Sequence, residues 1–162
     1  MRYVLKQNWL SWGDSFVIED EQGHAAFTVQ GAVFSWGNHL TITDAAGAEV
    51  AEVKQIVLSW GHEYEIYRSG VLAARVSKDW FTPFTARFSI DVPGPDDLEA
   101  EGDFFDCEYE FRRGNQTIAL VSKKWFSWTD TYGVEMLPAA DPLLILASIV
   151  VIDCVSHDKR RR

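Results

Sequence analysis

Along most of this chain apolar residues fall at every second position, the two-residue period of a strand with one buried face. Phe16 and Ile18, then Ala25, Phe27 and Val29, alternate with polar neighbours on either side of Asp20-Glu21-Gln22-Gly23. That pattern predicts a hairpin: strand, glycine-containing turn, strand. Leu40 and Ile42, a turn at Asp44 to Gly47, then Val50 and Val53 repeat it. The repeat is also written in letters. Ser11-Trp12-Gly13, Ser35-Trp36-Gly37 and Ser59-Trp60-Gly61 are spaced by 24 residues both times. In the same register Phe16, Leu40 and Tyr64 correspond, as do Ile18, Ile42 and Ile66, while Gly70 falls one residue earlier than Gly23 and Gly47 imply. A recurrence of so rare a residue at fixed spacing marks an internal repeat, and its period is too short for a propeller blade.

A second duplication has an offset of 45 residues. Tyr64-Glu65-Ile66 parallels Tyr109-Glu110-Phe111, and Ser77-Lys78-Asp79-Trp80-Phe81 parallels Ser122-Lys123-Lys124-Trp125-Phe126. After a one-residue slip, Phe88-Ser89-Ile90-Asp91 parallels Tyr132-Gly133-Val134-Glu135. The one irregular stretch, Val92-Pro93-Gly94-Pro95-Asp96, reads as a loop. The pattern yields about twelve strands joined by hairpin turns. A meander of that length must curl, split or close, because open edges pair with other chains.

Asp141-Pro142 then starts a helix, with a capping carboxylate and proline at the first helical position. From Leu143 to Val155 the only polar residues are Ser148 and Asp153. Such a helix is buried on all sides or lies in a membrane. A membrane span needs ~20 apolar residues, and this run of thirteen is bounded by Pro142 and the charged end His157 to Arg162. The two features explain each other. A barrel of about twelve strands has a lumen its own side chains cannot fill, and a helix ~10–12 Å across fills it. The expected fold is therefore mainly β: a closed antiparallel barrel of about twelve strands with a hydrophobic C-terminal helix, about 141–155, through its centre. Leu144, Ile145, Ile149 and Ile152 are its structural core. One domain spans 1–156, and 157–162 is a basic tail.

Composition narrows the chemistry. Among 162 residues Lys plus Arg number 15 and Asp plus Glu 24, a formal charge of −9 that repels nucleic acid. Aromatics reach 14%, which suits sheet. Cys107, in a strand-like segment, and Cys154, in the apolar run, read as buried thiols in a reducing compartment. No signal peptide opens the sequence, so a cytoplasmic protein that does not span the membrane is expected.

Catalytic candidates are absent from this reading. His24, His39, His62 and His157 lie in separate segments with no metal-ligand spacing, and no nucleophile elbow or phosphate loop occurs. No cofactor and no metal are expected. Asp97, Glu99, Glu101, Gly102, Asp103 and Glu108 do match positions of a calcium-binding loop. However, Pro93 and Pro95 stand where the entering helix should be. Leu98, Ala100 and Gly102 also alternate with Glu99, Glu101 and Asp103, so a half-exposed strand is the expectation.

The Ser122-Lys123-Lys124-Trp125-Phe126-Ser127 segment with Asp130-Thr131-Tyr132-Gly133-Val134-Glu135, the run Gly102-Asp103-Phe104-Phe105-Asp106 into Tyr109-Glu110-Phe111, and the apolar C-terminal run resemble the LURP-one-related family over about residues 1 to 156. The resemblance implies a twelve-stranded barrel around a hydrophobic helix, the fold of tubby C-terminal domains and phospholipid scramblases. It brings no established enzymatic activity. A non-enzymatic intracellular binding or scaffold domain, with a protein or small ligand as partner, is the expected function. The alternative is a peripheral phospholipid- or phosphoinositide-binding regulator, because basic residues hold headgroups in tubby domains. Lys78, Lys123 and Lys124 would be the headgroup contacts. Strand alternation would place Lys123 and Lys124 on opposite faces unless a bulge intervenes.

Overall fold

The structure, a computed structural model, describes residues 1–8, 15–34, 37–57, 62–79, 86–125 and 131–158. The Ser-Trp-Gly tripeptides lie outside the described residues except for Gly37, as do Trp80, Phe81, Phe126 and the tail 159–162.

Twelve antiparallel strands form one closed barrel, followed by a single helix. In chain order the first six strands are β1 (Arg2–Asn8), β2 (Ser15–Glu19), β3 (Ala25–Phe34), β4 (Gly37–Asp44), β5 (Glu49–Gln55) and β6 (Glu63–Arg68). They are followed by β7 (Val71–Asp79), β8 (Ala86–Asp91), β9 (Leu98–Asp103), β10 (Glu108–Arg113), β11 (Gln116–Ser122) and β12 (Thr131–Met136). Each strand pairs with its sequence neighbours, and β1 closes the ring on β12 with Leu5 opposite Tyr132. Closure removes the exposed edges that an open meander would leave.

The 24-residue repeat is a repeat of hairpins. Ile18, Ile42 and Ile66 are 0% exposed, and Phe16, Leu40 and Tyr64 are buried beside them. All six point inward from β2, β4 and β6. The turns repeat at atomic level. Asp20 Oδ1 accepts from the amides of Gln22 and His24, both at 2.9 Å. Asp44 Oδ1 accepts from those of Ala46 and Ala48 at the same distance. Each turn closes on a left-handed glycine, Gly23 at φ 80° and Gly47 at φ 81°. The third hairpin instead turns on two left-handed residues, Ser69 and Gly70, at φ 50° and 76°. This tight two-residue turn explains why Gly70 comes one position early. On β5 the inward residues are Ala51 and Val53. The register shift opposite makes Val50 the extra residue of a bulge, half-buried and packed against the same core.

The helix α1 (Pro142–Asp158) runs three residues past the expected end at Val155. Asp141 caps it. Its Oδ1 accepts from the Leu144 amide at 3.3 Å, and its Oδ2 lies 2.5 Å from the Arg68 guanidinium at the rim of β6. Ile145, Leu146, Ala147, Ile149, Val150 and Val151 are each 0% exposed. These positions cover the whole circumference of the helix, and the inward residues of the strands are buried with them. The helix therefore occupies the lumen. Leu144 at 8% and Ile152 at 1% complete the predicted core set. Ser148 is accommodated because its hydroxyl donates to the Leu144 carbonyl at 2.8 Å, one turn back.

Ile149, at the helix centre, is fully buried within the apolar core. We expect Ile149→Asp to unfold the domain, since an unpaired buried carboxylate costs several kcal/mol against a total stability of about 5–15 kcal/mol. Loss of the cooperative urea transition and of near-UV circular dichroism checks this. A folded variant with a native spectrum contradicts the lumen placement.

Candidate functional site: the barrel mouth around the helix C-terminus

Strand direction places one set of candidate residues at a single end of the barrel, where odd-numbered strands finish and even-numbered ones begin. The helix starts at the opposite end, beyond β12, and its last turns arrive at this mouth. Lys78 near the end of β7, Glu108 at the start of β10 and Lys123-Lys124-Trp125 after β11 all lie here.

Glu108 organises the segment. Its carboxylate accepts from the Ser122 hydroxyl at 2.8 and 2.9 Å, and from the amides of Lys123 at 3.0 Å and Lys124 at 3.2 Å. Lys124 Nζ stands 3.8 Å from the same carboxylate. The backbone thus leaves the strand at Ser122, and Lys123 to Trp125 form a turn rather than a strand continuation. The expected opposition of the two lysines across a sheet does not arise. Lys124 is extended into solvent, its side chain 81% exposed, while Lys123 is half-buried. Lys78 is not on a solvated outer face. It follows Ala74 and Val76 on the inward side of β7, and its Nζ lies 5.9 Å from the ring centre of buried Phe88. Four strand positions of the ring separate β7 from β11, so the structure joins Lys123 with Lys124 in one turn and leaves Lys78 apart. The role of Glu108 escaped the local reading. Its signal was the 45-residue duplication, which sets Glu63 opposite Ser77 in the earlier copy.

Close packing of β9 on β10 at this mouth depends on Gly102. Its φ is 142°, and a Cβ there would stand 2.5 Å from the Glu108 carbonyl oxygen and 2.7 Å from Tyr109 Cα. Cys107 closes the preceding turn with φ 51°, not within a strand as its sequence context suggested. Beneath it, inside the barrel, Tyr109, Tyr132 and Asp153 are buried. Phe88, Phe104 and Tyr109 stack in succession at ring-centre distances of 4.9 and 4.7 Å. The Tyr132 hydroxyl is buried and has no hydrogen-bond partner among the described residues. Burial pushes the Cys107 thiol up to about 11, against the opposing pull of the Lys123 charge. Burial likewise holds the phenols of Tyr109 and Tyr132 well above their ordinary range, with Asp153 adding to the effect. Cys107 and Cys154 are not joined in a disulfide.

The calcium-loop residues are dispersed by the fold. Leu98–Asp103 is strand β9, with Leu98 and Ala100 buried and Glu99 exposed, as alternation predicted. Asp97 Oδ1 accepts from the Val92 amide at 2.8 Å, Glu101 pairs with Arg87, and Asp103 Oδ1 accepts from the amides of Phe105 and Asp106 at 3.0 Å. His39 pairs with Glu52 at 2.9 Å on the outer wall. Among the described residues no group of His, Cys, Asp and Glu is gathered for a metal. No helix among them is long and apolar enough to cross a membrane.

A twelve-stranded barrel closed around its own C-terminal helix, with the Ser-Lys-Lys-Trp turn at its mouth, defines a protein class. Residues 1–153 match the family described as LURP-one-related, and the chain belongs to that family. It is 31% identical over 154 residues to the uncharacterized protein YxjI of Bacillus subtilis, covering 95% of this chain and 93% of that one. A protein of Arabidopsis thaliana solved by X-ray crystallography superposes with a TM-score of 0.67 at 19% identity, covering 99% of this chain and 92% of that one, and so shares the fold.

Glu108→Ala should cost about 1–3 kcal/mol in urea unfolding, because it strips the acceptor from two amides and a buried hydroxyl. Calcium should leave the wild-type midpoint unchanged, whereas a saturable micromolar calorimetric signal lost in Glu108→Gln contradicts the strand reading. Stability should also fall in alkali. The folded state keeps the Cys107 proton to about 11, whereas an unfolded thiol releases it near 9.0. This contribution is complete below the lower value and lost as pH rises between the two. Urea midpoints measured from pH 8 upward should decline less steeply in Cys107→Ala. Native-state alkylation at pH 8 as fast as that of an exposed thiol contradicts the burial.

Proposed function

We propose that this chain is a non-enzymatic binding or scaffold domain of the cytoplasm, whose partner is a protein or small ligand engaged from outside the barrel. The observation that carries the reading is the filled lumen. The helix takes the volume in which a barrel enzyme or carrier would hold its substrate, so recognition falls to the walls and rims. The raised Cys107 thiol supports the same view, because a nucleophilic cysteine needs its thiolate at neutral pH. Unlinked thiols accord with a reducing compartment, and the overall charge of −9 disfavours nucleic acid.

A second reading, peripheral binding to anionic phospholipid, is favoured by one observation. Lys124, 81% exposed, neighbours Trp125, 44% exposed. A cation beside an indole is a pairing suited to the headgroup layer. Lys123 and Lys124 would carry the contact, with Lys78 recessed behind the rim.

Co-sedimentation with vesicles, with and without phosphoinositide and at two salt concentrations, separates the readings. Lipid binding should weaken steeply with salt and vanish in the Lys123→Glu/Lys124→Glu double variant. No binding at low salt leaves the scaffold reading. A substrate turnover abolished by Cys107→Ala or Tyr132→Phe would overturn the non-enzymatic proposal itself.

A further inference from the structure

We infer that the outer wall formed by β11, β12, β1 and β2 is a docking surface for a second copy of this chain, in a two-fold symmetric pair. The inference is independent of the proposed function. A closed barrel has no strand edge to offer, so self-association must use side chains on a wall. Among the described residues, four of the seven large exposed apolar side chains gather on the wall in question. Leu120 is 44% exposed, Trp125 44%, Met1 41% and Leu137 40%. Leu120 points outward from β11 opposite Glu135, and Leu137 directly follows β12. Trp125 lies back over the same wall, its ring centre 5.9 Å from the Arg2 guanidinium. Val4 and Val17, both half-buried, extend the surface across β1 and β2. A cleft of about 400 Å³, lined by Met1, Arg2, Glu21 and Glu135, gives this wall relief beside its protruding leucines.

Charge selects the occupant. The outward charges on these four strands are Arg2, Lys6, Glu19 and Glu135, two of each sign, already matched as Arg2–Glu135 at 3.4 Å and Lys6–Glu19 at 2.8 Å. The diametrically opposite wall is different. On β5 to β7 the five carboxylates of Glu49, Glu52, Glu63, Glu65 and Asp79 outnumber the bases Lys54, Arg68 and Arg75, with Lys78 turned inward. Two copies of a chain at −9 repel one another through most of their surface. They can approach where the field is locally balanced and apolar area is available. Because the four charges are matched within each copy, a two-fold contact through this wall brings no unpaired charge against its like. A strongly charged partner would instead prefer the acidic side.

Sedimentation equilibrium titrated through the micromolar range tests this. The mass should rise from 18.4 kDa toward twice that value. Leu120→Asp and, separately, Leu137→Asp should weaken association by about tenfold or more, with far-UV circular dichroism unchanged. Val71→Asp, at a residue 69% exposed at the start of β7, should have no effect on mass. A mass that stays at 18.4 kDa throughout assigns the wall to some other partner and overturns the inference. So does a dimer that neither leucine substitution weakens.

Discussion

An α-helix that is apolar around its whole circumference has no stable place at a water interface, and a ring of twelve strands has no way to fill its own centre. Here each resolves the other's difficulty. Ile145 to Val151 have no exposed surface because strands surround them, and the inward residues of those strands are dry because the helix is there. The remaining features serve that mutual burial. Pro142 and the Asp141 cap start the helix at one rim, where Arg68 fixes the cap to the wall. Repeated aspartate turns hold the hairpins in register. Gly102 lets β9 close on β10 where the helix ends.

Much of this was legible in the sequence because the signals are local. Two-residue alternation gave the inward sets Phe16–Ile18, Leu40–Ile42 and Tyr64–Ile66, and the aspartate–glycine spacing gave the turns. The length and purity of the Leu143–Val155 run pointed to a lumen rather than a bilayer. What was not legible depended on partners distant in the chain. Alternation assigns a face but not the neighbour across it, so nothing local showed that the Glu108 oxygens are occupied by the Ser122–Lys124 turn. The same blindness put Lys123 and Lys124 on a strand and Cys107 within one.

The mouth and the wall divide the molecule's chemistry. Around the helix end, burial keeps the Cys107 thiol and the Tyr109 and Tyr132 phenols protonated. Solvent meets mainly the outward strand faces, where charge is distributed unevenly, acidic across β5 to β7 and balanced across β11 to β2. A LURP-one-related domain built this way can vary its outer residues without disturbing the packing that defines the fold, since successive residues on each strand belong to different faces.

The order of elements along the chain also constrains how the domain comes into being. The helix leaves the ribosome after all twelve strands, yet it lies at their centre, and β1 cannot complete the ring until β12 exists. During synthesis the hairpins can form one after another, but their inner faces have nothing to pack against. Vectorial folding from the N-terminus is therefore closed to this architecture. The nascent sheet must remain open, with its apolar face uncovered, until the last segment emerges and is enclosed.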